Sequence, residues 1–167
     1  MSCSGEVPAE RDARVKACIN VDGGIVSPDG QPLADFVARG LTKPALFLRS
    51  HPLYSEEDFT RRNLTRAQWE RRAEAGNQAL ADLASRADGK LTTASIAPTG
   101  HFSFSDAPFV MPGAITRFGG AMLPARRSWM IVTRALRAYL EQELSGRGGG
   151  LTPLAREFPE LAIAAKR

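Results

Sequence analysis

The residues of this chain best suited to joint chemistry are Asp22 and His101. Asp22 closes an apolar run and is followed by two glycines, and His101 comes after a glycine just beyond another apolar run. A histidine that acts as a general base needs one ring nitrogen facing the reacting group and the other held by a carboxylate. The carboxylate fixes the tautomer and stabilises the imidazolium. Asp22 and His101 could form such a pair.

Each of these residues also has a purely structural interpretation. Asp22 could cap a turn, because Asp-Gly is a common turn dipeptide, and His101 alone would be an ordinary loop histidine. Their order along the chain, each on the loop after a predicted strand, favours the catalytic interpretation. Phe102 and Phe104 flank the histidine and could either wall an acyl pocket or pack into the core.

The other reactive residue types carry weaker signals. His51 is the competing base, but it precedes a proline after a strand, which favours a place on a substrate rim or on the surface. Cys18 lies inside an apolar run and is best interpreted as a small buried side chain, while Cys3 is uninformative. No histidine and acid cluster has metal-ligand spacing, so we expect neither a metal nor another cofactor.

Composition indicates a globular protein and no nucleic-acid partner. The 167 residues are 43% hydrophobic and 24% charged, which is ordinary for a folded domain. The net charge is +4, yet residues 56–90 hold seven acids and seven bases, and the six arginines of residues 117–147 do not alternate with stacking aromatics. The sequence contains no apolar run long enough for a transmembrane segment. It also begins without the basic and apolar regions of a signal peptide. Because we expect the amino terminus to be truncated, this absence leaves the compartment unknown.

Apolar runs and helical periodicity predict an α/β fold. Strands are predicted at residues 15–21, 44–50 and 91–97. A long helix should begin at a capping box formed by Thr65 and Gln68 and present an apolar face of Trp69, Ala73, Gly76, Leu80, Leu83, Ala84 and Ala87. A last helix is predicted at residues 128–144, ended by Gly146.

The remaining segments read as loops. Residues 23–32 and the proline- and glycine-rich stretch 108–124 predict loops with at most short helical turns. Strands that alternate with helices imply a mostly parallel sheet flanked by helices. Functional residues of such sheets gather beyond the carboxyl ends of the strands, where Asp22 and His101 both fall.

Three segments resemble one known family. Residues 16–24 (KACINVDGG), 44–50 (PALFLRS) and 100–108 (GHFSFSDAP) are similar to the carboxyl-terminal portion of bacterial α/β hydrolases of the platelet-activating factor acetylhydrolase family (isoform II, plasma type). The similarity spans residues 14–144. It implies a partial α/β-hydrolase fold and, as activity, metal-free hydrolysis of short or oxidised acyl esters, including phospholipid esters. It also implies that Asp22 is the triad acid and His101 the triad base.

The nucleophile has no counterpart in this resemblance. The serine of such folds lies in a Gly-x-Ser-x-Gly elbow upstream of the acid, separated by a helix and a strand of about 20 residues. Ser4 is too close to Asp22, and Ser2 stands where the elbow glycine is expected. We therefore expect the amino-terminal strands, the elbow and the oxyanion-hole loop to be missing, and this chain alone to lack significant esterase activity.

These observations define a domain and three functional hypotheses. Residues 14–145 should form the carboxyl-terminal part of a hydrolase domain, 1–13 a truncated amino-terminal segment and 146–167 a loosely docked tail. The chain is then part of a serine ester hydrolase, or a non-catalytic remnant or interaction module that pairs with another chain, or an α/β scaffold with other chemistry. An unpaired sheet edge also predicts low solubility or self-association.

Overall fold

A four-stranded sheet forms the centre of the protein in the computed structural model, which describes residues 12–25, 34–113 and 122–164. The strands lie in the order β1-β2-β3-β4. The first three are parallel, and β4 runs antiparallel to β3. Their bounds are β1 Cys18–Val21, β2 Ala45–Ser50, β3 Leu91–Ile96 and β4 Leu161–Ile163.

Helices cover both faces of this sheet, as the α/β class predicts. They are α1 Ala34–Arg39, α2 Glu56–Arg61, α3 Arg66–Arg86, α4 Ala107–Val110, α5 Ala125–Ser145 and α6 Thr152–Glu157, with a 3₁₀ helix at His101–Phe104. Side chains of a strand alternate between faces. Phe47 of β2 therefore packs with α1 and α3, whereas Leu46 and Leu48 pack with α5 and α6.

The three predicted strands are present with shorter bounds. The first begins at Cys18 instead of residue 15, the second at Ala45, and the third ends at Ile96. Cys18 is buried, as predicted. Apolar character extends beyond the paired residues because flanking side chains also pack on the core, as Val15 does.

The long helix begins where its capping box predicted. The Thr65 hydroxyl accepts from the Gln68 backbone N–H, and the Gln68 side chain accepts from the Thr65 N–H at 2.8 Å. The last long helix begins three residues before its predicted start, directly after Pro124. It ends at Gly146, whose left-handed φ of 63° suits a residue without a Cβ.

The prediction of a loosely docked tail for residues 146–167 is wrong. Residues of this segment form α6 and β4, and β4 pairs with β3. Phe158 and Leu161 are only 2% and 3% exposed. Short elements leave little periodicity to read in a sequence, and the pairing partner of β4 lies about seventy residues upstream.

Several predictions fall on residues that the structure does not describe. They concern residues 1–11 with Cys3 and Ser4, the loop from residue 26 to 32, and residues 114–121. The described parts of the predicted loop at 108–124 hold only short helical turns.

Candidate functional site

Asp22 is held at the carboxyl end of the sheet by contacts with the next strand. It follows β1, and its backbone N–H donates to Leu48 O at 2.8 Å. Its side-chain Oδ1 accepts from the Ser50 backbone N–H at 2.7 Å. The φ of Asp22 is 52°, a left-handed conformation that aspartate tolerates better than most residues. The carboxylate is thus directed across the ends of β1 and β2.

The second carboxylate oxygen contacts His101. Asp22 Oδ2 lies 2.8 Å from His101 Nδ1. A carboxylate only accepts hydrogen bonds, so Nδ1 carries the proton of the neutral ring and Nε2 keeps its lone pair. The Asp22 side chain is 13% exposed and that of His101 71% exposed. The arrangement therefore has a mostly buried acid and a base whose ring is open to solvent.

The loop that carries His101 is fixed by buried polar side chains. The Thr99 hydroxyl donates to Ile96 O, at the end of β3, and the Thr99 backbone N–H donates to His51 O at 3.3 Å. The backbone N–H of Gly100 donates to Ser103 Oγ at 3.2 Å. Thr99 and Ser103 are fully or almost fully buried. These bonds fix the 3₁₀ turn from which His101 projects.

His51 has a structural part in the same site. Its backbone N–H donates to Ile96 O at 3.2 Å, which joins the loop after β2 to the end of β3. Its side chain is exposed, and the structure places His101, not His51, against the carboxylate of Asp22. This position agrees with the rim or surface location expected from the sequence.

The two phenylalanines beside His101 have different surroundings. The Phe102 ring lies edge-on to the imidazole with centroids 5.9 Å apart, and Phe102 is 47% exposed. Phe104 packs against the core beneath α5. Phe109, Val110 and Met111, close by in sequence on and after α4, are also exposed. Phe102 is therefore available to a ligand, whereas Phe104 is a core residue.

Sequence reasoning missed the residues that position the pair. Ser50 acts through a backbone N–H, which no side-chain pattern reveals, and Thr99 acts from a buried loop. The contact between Ser50 and Asp22 depends on the register in which Val21 pairs with Leu48, and no sequence pattern specifies that register. Within the described ranges, no three side chains of metal-binding type gather.

Comparison with known proteins identifies the fold. No family profile matches the chain, and no curated protein matches it. A ferulic acid esterase from Streptomyces cinnamoneus, solved at 2.4 Å resolution, is similar in structure with a TM-score of 0.60 and 22% identity. The similarity covers 93% of this chain and 41% of the esterase chain. This protein thus spans about two fifths of the length of that esterase.

The fold class is therefore α/β, with a mostly parallel sheet between helical layers, and it is similar in fold to part of that esterase. Its described helices include none that is both long and apolar enough to cross a membrane.

Proposed function

We propose that this chain is the acid–base part of a serine ester hydrolase. The observation that carries the proposal is the 2.8 Å hydrogen bond between Asp22 and His101 Nδ1, with Nε2 left as an acceptor on an exposed ring. This is the arrangement that a general base requires. The similarity in fold to an esterase supports the same reaction class.

In the proposed reaction, His101 Nε2 removes the proton from a serine hydroxyl as the serine oxygen attacks the ester carbonyl. Asp22 stabilises the imidazolium through the Nδ1 hydrogen bond. His101 then gives the proton to the leaving alcohol, and an acyl-serine remains. A water molecule then attacks the acyl-serine while His101 takes its proton. The carboxylic acid is released, and His101 returns the proton to the serine oxygen.

The serine is contributed from outside the described residues. In residues 12–25, 34–113 and 122–164, no hydroxyl group hydrogen-bonds to His101. The similarity covers only 41% of the esterase chain, which leaves room for a nucleophile outside the part that this chain matches. The reading frame upstream of the Met1 codon tests this, because an in-frame Gly-x-Ser-x-Gly close to Met1 is expected. A stop codon or unrelated sequence there would count against the proposal.

The substrate class we propose is an acyl ester with an apolar acyl group. Phe102 is exposed beside His101 and can contact such a group. The resemblance to the platelet-activating factor acetylhydrolase family favours short or oxidised acyl chains, including those of phospholipids. The similar structure is described as a ferulic acid esterase, so an aromatic acyl group is a second candidate for contact with Phe102.

A second candidate is a non-catalytic module that pairs with another chain. The observation in its favour is that β1 lies at the edge of the sheet, where the described residues provide no further neighbour strand. A partner that brings its own serine would complete the site there, and a partner without one would leave it inactive.

The decisive experiment reads the tautomer of His101 in the chain itself. Two-bond ¹H–¹⁵N NMR spectra at neutral pH should show His101 protonated at Nδ1, and Asp22→Asn should remove this preference. His51, which has no carboxylate partner among the described side chains, serves as the internal control. A His101 ring protonated at Nε2 in the unsubstituted chain would contradict the proposed base.

An activity assay completes the test. We expect the chain alone to hydrolyse 4-nitrophenyl acetate no faster than its His101→Ala variant. Turnover that His101→Ala abolishes, together with an acyl group found on a serine by mass spectrometry, would show that the chain holds its own nucleophile and would overturn the missing-serine part of the proposal.

A further inference from the structure

A cavity of about 520 Å³ lies between α3 and the sheet, and Asp22, Ser50 and His51 form part of its lining. Its wall on α3 includes Trp69, Arg72 and Gly76, and its floor includes Phe47 and Arg49 of β2. The volume falls within the range of small-molecule sites, roughly 300–1,000 Å³. The predicted apolar face of α3 therefore meets the core only in its second half, and its first half borders open space.

Arg49 is the unusual member of this cavity. It projects from the floor, half-buried beneath α3, and its Nη1 donates to Asn77 Oδ1 at 2.8 Å. A Cβ built on Gly76 would lie 3.8 Å from Arg49 Nη2, so the guanidinium lies close to the helix at this glycine. Removal from water lowers the pKa of Arg49, and the charge of Asp22 offsets this only in part.

Two arginines of the described chain are half-buried, Arg49 and Arg127. Arg127 forms an ion pair with Glu160, whereas Arg49 forms none with the described residues. Ion pairs to carboxylates are formed by Arg14, Arg61, Arg66, Arg127, Arg134 and Arg137. The nearby Asp22 carboxylate is already engaged by His101 and by the Ser50 N–H. A half-buried charge without a counterion is unfavourable unless a ligand supplies one.

We propose that this cavity binds an organic oxyanion, a carboxylate or a phosphate monoester, on the guanidinium of Arg49. The planar fork of a guanidinium matches the two oxygens of either group. Arg72 adds a second positive charge at the α3 wall and forms no ion pair with the described residues. Trp69, Phe47 and Leu80 offer apolar contacts for the body of the ligand. The site does not depend on the proposed ester hydrolysis.

Tryptophan fluorescence tests the site directly. The chain has two tryptophans; Trp129 is exposed on α5, so a Trp129→Phe background leaves Trp69 as the reporter inside the cavity. Benzoate and phenyl phosphate are the probes, and benzamide is the neutral control of matching shape. We expect saturable quenching by at least one anion, with benzamide at least about tenfold weaker. The preferred anion then distinguishes a carboxylate site from a phosphate site.

Variants assign the binding to Arg49. Arg49→Gln should weaken anion binding about tenfold or more, and Arg49→Lys, which keeps the charge but loses the planar fork, should bind with an affinity between those of the unsubstituted protein and Arg49→Gln. Arg137→Gln, an exposed arginine on α5, is the matched control and should change nothing. Equal binding of benzamide and the anions, no saturable quenching by either anion, or full binding in a folded Arg49→Gln protein would each overturn the proposal.

Discussion

Replacing Phe158 with alanine tests whether the carboxyl-terminal segment is an integral part of the core. Phe158 is 2% exposed and packs among the residues beneath α5. Phe-to-Ala changes at buried sites cost about 3–5 kcal/mol. The guanidinium groups of Arg127 and Arg134 lie 4.8 and 4.9 Å from the ring centroid; being partly exposed, each adds about 0.5 kcal/mol. We therefore expect a loss of about 4–6 kcal/mol of unfolding free energy.

Thermal and denaturant unfolding followed by circular dichroism measure this loss. For a chain of this size, 1 kcal/mol corresponds to about 2–4 °C, so Tm should fall by roughly 8–24 °C. Phe102→Ala is the control, because Phe102 is 47% exposed and its removal should cost less than about 0.5 kcal/mol. If Phe158→Ala does not fold, Phe158→Leu should still fold with a smaller loss. A loss below about 1 kcal/mol for Phe158→Ala would refute the integral position of this segment.

Three further predictions concern a glycine, an ion pair and the sheet edge. Gly40→Ala should lower the free energy of unfolding by about 2 kcal/mol or more, because φ is +71° and the new Cβ would lie 2.6 Å from Arg86 O. Gly89→Ala is the control, because Gly89 has a similar φ but open space around it. Chemical denaturation of this variant should show the backbone cost alone, about 1 kcal/mol. The hydrogen bond from Arg127 lowers the pKa of Glu160, so this ion pair stabilises the fold at neutral pH. The stabilisation is lost as the pH falls from about 4.5, the ordinary pKa of a glutamate, through the lowered pKa of Glu160 in the folded protein. Glu160→Gln should abolish that part of the acid dependence of Tm. The open β1 edge predicts concentration-dependent self-association in sedimentation velocity, and a monomer at all concentrations would argue against it.

Local signals were sufficient to predict most of the architecture. The reciprocal hydrogen bonds of Thr65 and Gln68 depend only on residues three positions apart, and so they can be read from the sequence. The strands β2 and β3 could likewise be predicted, because each lies within a short apolar run that is visible in the local sequence. The pairing of Asp22 with His101 was predicted from chain order alone, although the residues are separated by 79 positions.

The features that escaped prediction depend on contacts distant in sequence. β4 has three residues and is defined by its partner, β3, rather than by a pattern of its own. The Ser50 N–H reaches Asp22 only because of the register between β1 and β2. Trp69 follows the apolar periodicity of α3 correctly, yet it borders a cavity, because the sequence carries no information on how far the sheet extends beneath a helix.

Asp22, Ser50, Thr99 and His101 all lie at the carboxyl ends of β1, β2 and β3 or in the segments that follow them, and the hydrogen bonds that position them are made by residues from β1 onwards. A break in the polypeptide before β1 would leave these bonds intact. The position before β1 is therefore a suitable site at which to divide such a protein into two separately produced halves. In the hydrolase proposed above, a split reporter divided before β1 would regain ester hydrolysis only when the half with the nucleophile and the half with the acid and base are brought together.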